Sequence, residues 1–414
     1  MKKFLLYSVV SVLFCSCQIS FWTAVKYSPE VVKEISFASK YRRMEKKTEI
    51  TYYYGKKDPF VLDNKTIFIP CKINDTTHLV PYNCGDTYAV FGERISGNVE
   101  FPKTNKTVKE RTIIRGVFEK KGLKYYNIKS NFFDFKPYIG LLTSLSNDSI
   151  ISKCTSENNK NRFHFGRNAF PKWKDVMLLS FSDTSITLLD SLGQYDTTGF
   201  TSVKSMFTCQ GYLVCLMIDS IEYEFVFNTG NEGFLSIPQY DIYYKNGKYN
   251  YIYSNPEHEK HKKDNDVSLK YIDNNIGIDT MIVQQTNTIT FGDLDFITGN
   301  VFYTKDFFQP VMGMAFISQF DWIIDRYKEK IYAKKIKEVD KKDVSFNYYQ
   351  VNVFDTTLQI SLLPVYETEY QLFSIIDSVN GEKVNANNIC QMKDLLNKRN
   401  GFKDNRIGVL HHHF

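Results

Sequence analysis

The 414-residue chain lacks, beyond its first residues, any apolar run long enough to cross a bilayer. A spanning helix needs about 20 such residues in a row. It has no Cys-x-x-Cys pair, so a structural zinc site is not expected. It also lacks an excess of one charge. Its 52 Lys and Arg stand against 46 Asp and Glu, a formal net charge of +6, and the dense stretch at residues 334–343 mixes both signs. Without a concentrated basic face or a base-stacking motif, nucleic acid is not an expected partner. Gly-x-Ser-x-Gly, His-Glu-x-x-His, the phosphate-binding Gly-x-x-x-x-Gly-Lys and Gly-x-Gly-x-x-Gly are all missing. That removes the hydrolase-elbow, zinc-peptidase and nucleotide-binding signatures, and no cofactor is expected.

Aromatic residues are abundant, with 28 Tyr and 33 Phe. Together with β-branched residues they fit half-buried pleated surfaces, so the expected class is mainly β. The N-terminus opens with Lys2 and Lys3, an apolar stretch over residues 4–14, and Cys15-Ser16-Cys17. A charged start followed by a short apolar core is a secretory signal rather than a span. Ser16 before Cys17 fits a bacterial lipobox, in which the cysteine is lipidated and becomes the new N-terminus. Cleavage nearby as an ordinary signal peptide is the other reading. A lipid on Cys17 implies a cell-envelope protein anchored at the outer membrane or the periplasmic face. The remaining cysteines are Cys71, Cys84, Cys154, Cys209, Cys215 and Cys390. Such a compartment permits disulfides, but the spacing fixes no pairing. His411, His412 and His413 read as a frayed tail, and no metal site is expected.

An internal repeat organises the middle of the chain. "CKINDTTHLVPYNCGDTYAVF" (71–91) aligns without a gap on "LMIDSIEYEFVFNTGNEGFLS" (216–236). Ile73 falls on Ile218, Val80 on Phe225, Asn83 on Asn228, Gly85 on Gly230 and Val90 on Leu235, at an offset of 145. Each copy reads as a hairpin that runs into an Asn-x-Gly loop. A second pair of blocks, 165–189 and 312–335, shares that offset, with Ser180 on Asp325 and Ile186 on Ile331. Each has a Gly, then Ala-Phe, a short helical turn and two apolar runs around a polar turn.

Two β-rich units, each with a hairpin entering an Asx-x-Gly loop and a later apolar-Gly segment, resemble the pepsin/retropepsin family of aspartic peptidases. The likeness is strongest to bacterial secreted or lipid-anchored members with a C-terminal PDZ domain. "FVFNTGNEGFLSIP" and "GMAFISQFDWIID" carry it in the second unit, whereas "VPYNCGDTYAVF" keeps only the glycine and the apolar frame. The resemblance implies two homologous β-barrel lobes and a small α+β module. The expected boundaries are a signal peptide at 1–17, an N-terminal extension at 18–60, lobes at 61–190 and 205–336, and a C-terminal module at 345–414. In that module "LFSIIDSVNGEKV" (372–384) looks like a PDZ strand-turn at Asn380-Gly381, and "ICQMKDLLNKRNG" (389–401) like the helix after it. The usual Ala-Gly-Leu-x-x-Gly-Asp stretch is replaced by Glu367-Thr368-Glu369-Tyr370, so an ordinary hairpin plus helix is the competing reading. A PDZ-like module would take a peptide as an added strand.

The family's chemistry needs two carboxylates that share one proton between the lobes. Both of these positions are Asn here, Asn83 and Asn228, flanked by Cys84, Gly85, Thr229 and Gly230. An amide keeps a carboxylate's shape but cannot accept a proton from water at neutral pH. The resemblance therefore implies a non-catalytic peptidase-like lipoprotein that binds an extended peptide or protein segment between its lobes. One alternative is an active endopeptidase with an atypical dyad, drawing on Asp86 or Glu232. Another is a scaffold that binds partners through its C-terminal module. A Cys84–His78 nucleophilic pair is a further possibility, against the commoner role of a small buried cysteine. Asp321 and Asp325 read as surface or structural residues.

Overall fold

A computed structural model describes residues 49–63, 65–73, 76–85, 90–92, 110–114, 117–144, 165–167, 175–208, 211–219, 221–238, 241–245, 248–252, 266–272, 278–285, 289–292, 294–296, 300–304, 309–336, 347–354, 356–398 and 400–410. The signal segment with Cys15 and Cys17, residues 74 and 75, Asp86, Cys154, Cys209 and the terminal histidines lie outside these residues. Of the described residues, 57% lie in strands and 9% in helices, so the fold is mainly β.

Two hairpins repeat each other in register. Thr66–Ile73 pairs antiparallel with Thr76–Asn83, and Phe68 stands opposite Pro81. Gly211–Ile218 pairs with Ile221–Phe227, and Leu213 stands opposite Val226. Leu213 and Val226 follow Phe68 and Pro81 by the same 145 residues. In the second hairpin, exposed Glu222 and Glu224 alternate with half-buried Ile221 and Tyr223. Phe225, Val226 and Phe227 are then buried without a break, so the strand enters the core and delivers Asn228 at its inner end.

A six-stranded antiparallel sheet joins the two repeats. Its order is Thr201–Val203, Lys330–Lys335, Phe320–Asp325, Val176–Ser180, Ser185–Leu189 and Lys57–Pro59. At its centre Leu178 faces Ile323, its own counterpart 145 residues on. A local two-fold axis therefore passes through that pair. Further out the register obeys the same symmetry, with Asp58 opposite Ile186 and Val203 opposite Ile331.

The sheet is apolar on both faces because both are covered. Met177, Leu179, Ile186, Leu188, Trp322 and Ile324 point into the main core. Val176, Leu178, Leu189 and Ile323 point the other way, under Leu192, Tyr195 and Phe200. Trp322 is fully buried, and its indole N–H donates to the Ile317 carbonyl at 2.7 Å, which removes the cost of an unpaired donor.

The C-terminal module has its own core, including Val351, Leu358, Ile360, Ile376, Ile389, Met392 and Leu396. The helix Ile389–Asn397 buries Ile389, Met392 and Leu396, its i, i+3, i+7 face. Asn380 and Gly381 both adopt positive φ, 54° and 83°, and close a two-residue turn between Ile375–Val379 and Glu382–Lys383. At Glu367-Thr368-Glu369-Tyr370 the Tyr349 hydroxyl donates to Glu367 at 2.6 Å, and Tyr370 meets the Phe402 ring edge-on. The module is not a bead on a tether. Its strand Thr357–Pro364 pairs antiparallel with Val267–Ile272 and continues the sheet of the second repeat.

Candidate functional site

Each hairpin ends at an asparagine held from the side by a parallel strand. Gly166 lies beside Asn83 in the first repeat. In the second, Met312 lies beside Phe227, and its carbonyl accepts the Asn228 N–H at 3.0 Å. The two loops then meet. A Cβ added at Gly85 would fall on the side-chain amide of Asn228, and one added at Gly230 would fall on that of Asn83. Each asparagine thus rests on the other loop's glycine, and no larger residue fits at either glycine.

Backbone donors fix how the amides are turned. Gly85 N–H donates to Asn83 Oδ1 at 3.0 Å, and Gly230 N–H donates to Asn228 Oδ1 at 2.9 Å. An N–H can pair only with the oxygen, so the NH2 end of each amide is its other polar terminus.

A crossed tie locks the loops behind the asparagines. Thr229 Oγ1 donates to the Tyr82 carbonyl and accepts from Cys84 N–H, both at 2.9 Å. Cys84 Sγ donates to the Phe227 carbonyl at 3.1 Å and accepts from Thr229 N–H at 3.4 Å. Both side chains are buried. Burial pushes the Cys84 thiol pKa up, against weaker lowering by the Thr229 bonds, so the sulfur keeps the proton it donates.

Asp321 is buried and accepts from Ser180 Oγ, Ser182 N–H and Ser182 Oγ, which ties it to the central sheet. Asp325 accepts from Lys328 N–H in the following turn. Glu232 is exposed as a residue, yet protein crowds its carboxyl. Desolvation raises its pKa, opposed by Lys65 and Lys393. His78 stands opposite Cys71 in the first hairpin, and its Nε2 is buried without a hydrogen-bond partner. The structure therefore does not bring His78 and Cys84 together as a nucleophilic pair. No cluster of three His, Cys, Asp or Glu side chains suited to a metal occurs among the described residues.

No family model matches the chain, and no curated protein matches it.

Sequence reasoning missed several residues that build this centre. Tyr82 is fully buried beneath Asn83, its hydroxyl directed at Met177 Sδ, 3.9 Å away. Arg167, one residue past Gly166, is buried against Gly211, and its positive charge bears on Tyr82, Cys84 and Tyr212. Asn231 Oδ1 accepts Gly233 N–H at 2.7 Å, while its carbonyl accepts Met314 N–H at 2.6 Å. That second bond hangs the short helix Met314–Ile317 on the loop. The Asn231 signal was present, because an Asn at a loop's turn position bonds its own backbone two residues on.

A further polar pair closes the C-terminal module's edge strand, Gln350–Phe354. Asn397 Oδ1 accepts Val351 N–H at 2.8 Å, and Asn397 Nδ2 donates to Val351 O at 2.9 Å. The amide takes both outward backbone groups of Val351, and a peptide strand added there has to displace it.

Proposed function

We propose that this chain is a pepsin/retropepsin-like, non-catalytic cell-envelope lipoprotein, anchored through Cys17, that binds extended peptide or protein segments between its two lobes. The observation that carries this reading is the mutual seating of Asn83 and Asn228 on Gly230 and Gly85. The crossed Thr229–Cys84 tie supports it, since it keeps a two-loop centre rigid although Asn rather than a carboxylate stands at positions 83 and 228. The disulfide at Cys390 agrees with an oxidising compartment.

Two primary amides accept no proton from water, so the water attack on a peptide bond has no general base. Losing such a base costs about 10²–10⁴-fold, and losing both members of an acid–base unit leaves little beyond binding effects. The amides can instead donate N–H to a peptide carbonyl. They do not titrate, so this recognition is independent of pH wherever the fold holds. The capped Val351 edge favours the inter-lobe cleft over the C-terminal module as the peptide site.

The test is a cleavage and binding assay on the mature protein with a library of extended peptides, between about pH 3 and pH 8, a range that spans carboxylate titration. Binding without hydrolysis is expected, with weak cleavage appearing in the double variant Asn83→Asp/Asn228→Asp. Robust wild-type turnover that a transition-state peptide analogue blocks would overturn the reading.

A further inference from the structure

A cavity of about 280 Å³ opens where the second repeat meets the C-terminal module. Side-chain alternation on three strands builds it. On Leu235–Pro238, Leu235 and Ile237 enter the main core, and Ser236 lines the cavity. On Asn300–Thr304, Val301 and Tyr303 enter the core, while Phe302 lines the cavity. On Gln350–Phe354, Val351 and Val353 enter the module's core, and Gln350 and Asn352 line the cavity. The lining thus crosses a continuous sheet shared by two units, and Tyr271 stands opposite Leu362 at the seam.

The chemistry of the lining is uniform in one respect: among the described residues no Asp, Glu, Lys, Arg or His contributes to it. Met281, Phe302 and the Tyr271 ring supply apolar surface. Ser361 Oγ donates to the Gln350 carbonyl and accepts from Asn352 Nδ2, both at 3.2 Å, so that corner is already satisfied. Ser236 is more than nine-tenths buried as a residue and lines the cavity, and its hydroxyl is not among the buried polar atoms left without a partner. A hydroxyl on a cavity wall is one of the few polar groups that can orient a ligand there. The volume sits at the lower edge of the usual range for ligand pockets, roughly 300–1,000 Å³, and suits one residue with its flanking amides rather than a large cofactor. Gly233, five residues past Asn228, forms part of the wall, and its N–H is held by Asn231 Oδ1.

We propose that this seam cavity is a specificity pocket for an uncharged apolar or aromatic residue of a bound peptide, with Ser236 and Gln350 pairing to the amides beside that residue. The pocket's part in peptide binding rests on the peptide-binding reading above; its preference for a neutral group rests on its own lining. The pocket makes the C-terminal module part of ligand selection without using the module's capped strand edge.

The mature full-length protein is titrated with N-acetyl-phenylalaninamide, and with the lysine and glutamate analogues, by calorimetry and by the NMR signal of the Met281 methyl group. The neutral amide is expected to bind in about the millimolar range or tighter and to shift the Met281 methyl. The charged analogues should bind about tenfold or more weakly, because no described residue of the lining pairs their charge. Met281→Trp, which fills the cavity, should reduce binding about tenfold or more, and Gln350→Ala should reduce it by a smaller factor. Equal affinity for charged and neutral probes, or a Met281 signal that stays fixed while the probe binds, overturns the pocket. If Met281→Trp misfolds, the wild-type methyl shift and the Gln350→Ala titration decide the matter. Extended peptides separate the two readings. Peptide binding that Met281→Trp and Gln350→Ala leave unchanged removes the pocket and spares the cleft. Binding of the amide, with no gain from extending it into a longer peptide, removes the cleft reading and spares the pocket.

Discussion

Thr229 carries an unusual share of the contact between the two loops. Its one hydroxyl satisfies the Tyr82 carbonyl and the Cys84 N–H at once, in a position 1% exposed. Thr229→Val keeps the shape and leaves both backbone groups buried without that partner. Each such group costs about 1–3 kcal/mol, so a loss of about 2–6 kcal/mol is expected, read as a lower urea midpoint at an unchanged slope. The thiol on the other side is a weaker partner, and Cys84→Ser keeps a donor toward the Phe227 carbonyl. It should cost under about 1.5 kcal/mol. A larger loss for Cys84→Ser than for Thr229→Val would contradict the hydroxyl as the principal tie. The asparagines contribute differently. Two neutral amides facing each other's loops carry no like-charge repulsion, and on the proposed reading Asn83→Asp/Asn228→Asp would introduce it.

The central sheet divides its labour between faces, and adjacent leucines measure the difference. Leu179 points into the main core among Met177, Trp322 and Phe320, whereas Leu178 points to the smaller cluster under half-buried Leu192, Tyr195 and Phe200. Leu179→Ala should cost about 3–5 kcal/mol, and Leu178→Ala about 1 kcal/mol less or better still, since a looser cluster collapses more readily around the gap. Chemical denaturation of the two variants checks the order, and equal losses would mean that both faces are equally packed. Much of this element was legible in the sequence. The spacing that aligns Asn83 with Asn228 also aligns Phe68 with Leu213, and it reappears as hydrogen-bond register because homologous strands share side-chain alternation. Other features had no such signal. The Leu178–Ile323 pairing joins strands far apart in the chain, and nothing local to either strand names its partner. The Thr229–Cys84 tie is hidden for the same reason, with one residue contributed by each loop. Arg167 was obscured by its type, since a charged residue after a glycine reads as surface until the packing around Gly211 shows it buried.

At the scale of the whole molecule, the join between the second repeat and the C-terminal module decides whether they are separable. The sequence suggests a module beginning near residue 345, after a charged stretch. The sheet contradicts separability, because Leu269, Lys270 and Tyr271 pair with Pro364, Leu363 and Leu362. Leu269, Tyr271, Val283 and Leu362 form a small core across that seam, with Met281 and Phe302 packed against it. Deleting residues 345–414 should therefore damage the part that remains. It strips Leu362 from the seam core, which on apolar burial alone is worth about 1.5–3 kcal/mol, and it leaves the strand Val267–Ile272 as a bare edge. A bare edge offers unpaired N–H and C=O groups to other chains. The truncated protein is expected to melt at a lower temperature and to associate as its concentration rises, measured by thermal melting and sedimentation. It should also lose the neutral-amide probe, because Gln350, Asn352 and Ser361 leave with the module. A truncated chain that stays monomeric, melts like the full protein and still binds the probe would show that the continuous sheet has no energetic weight, and the seam pocket would fall with it.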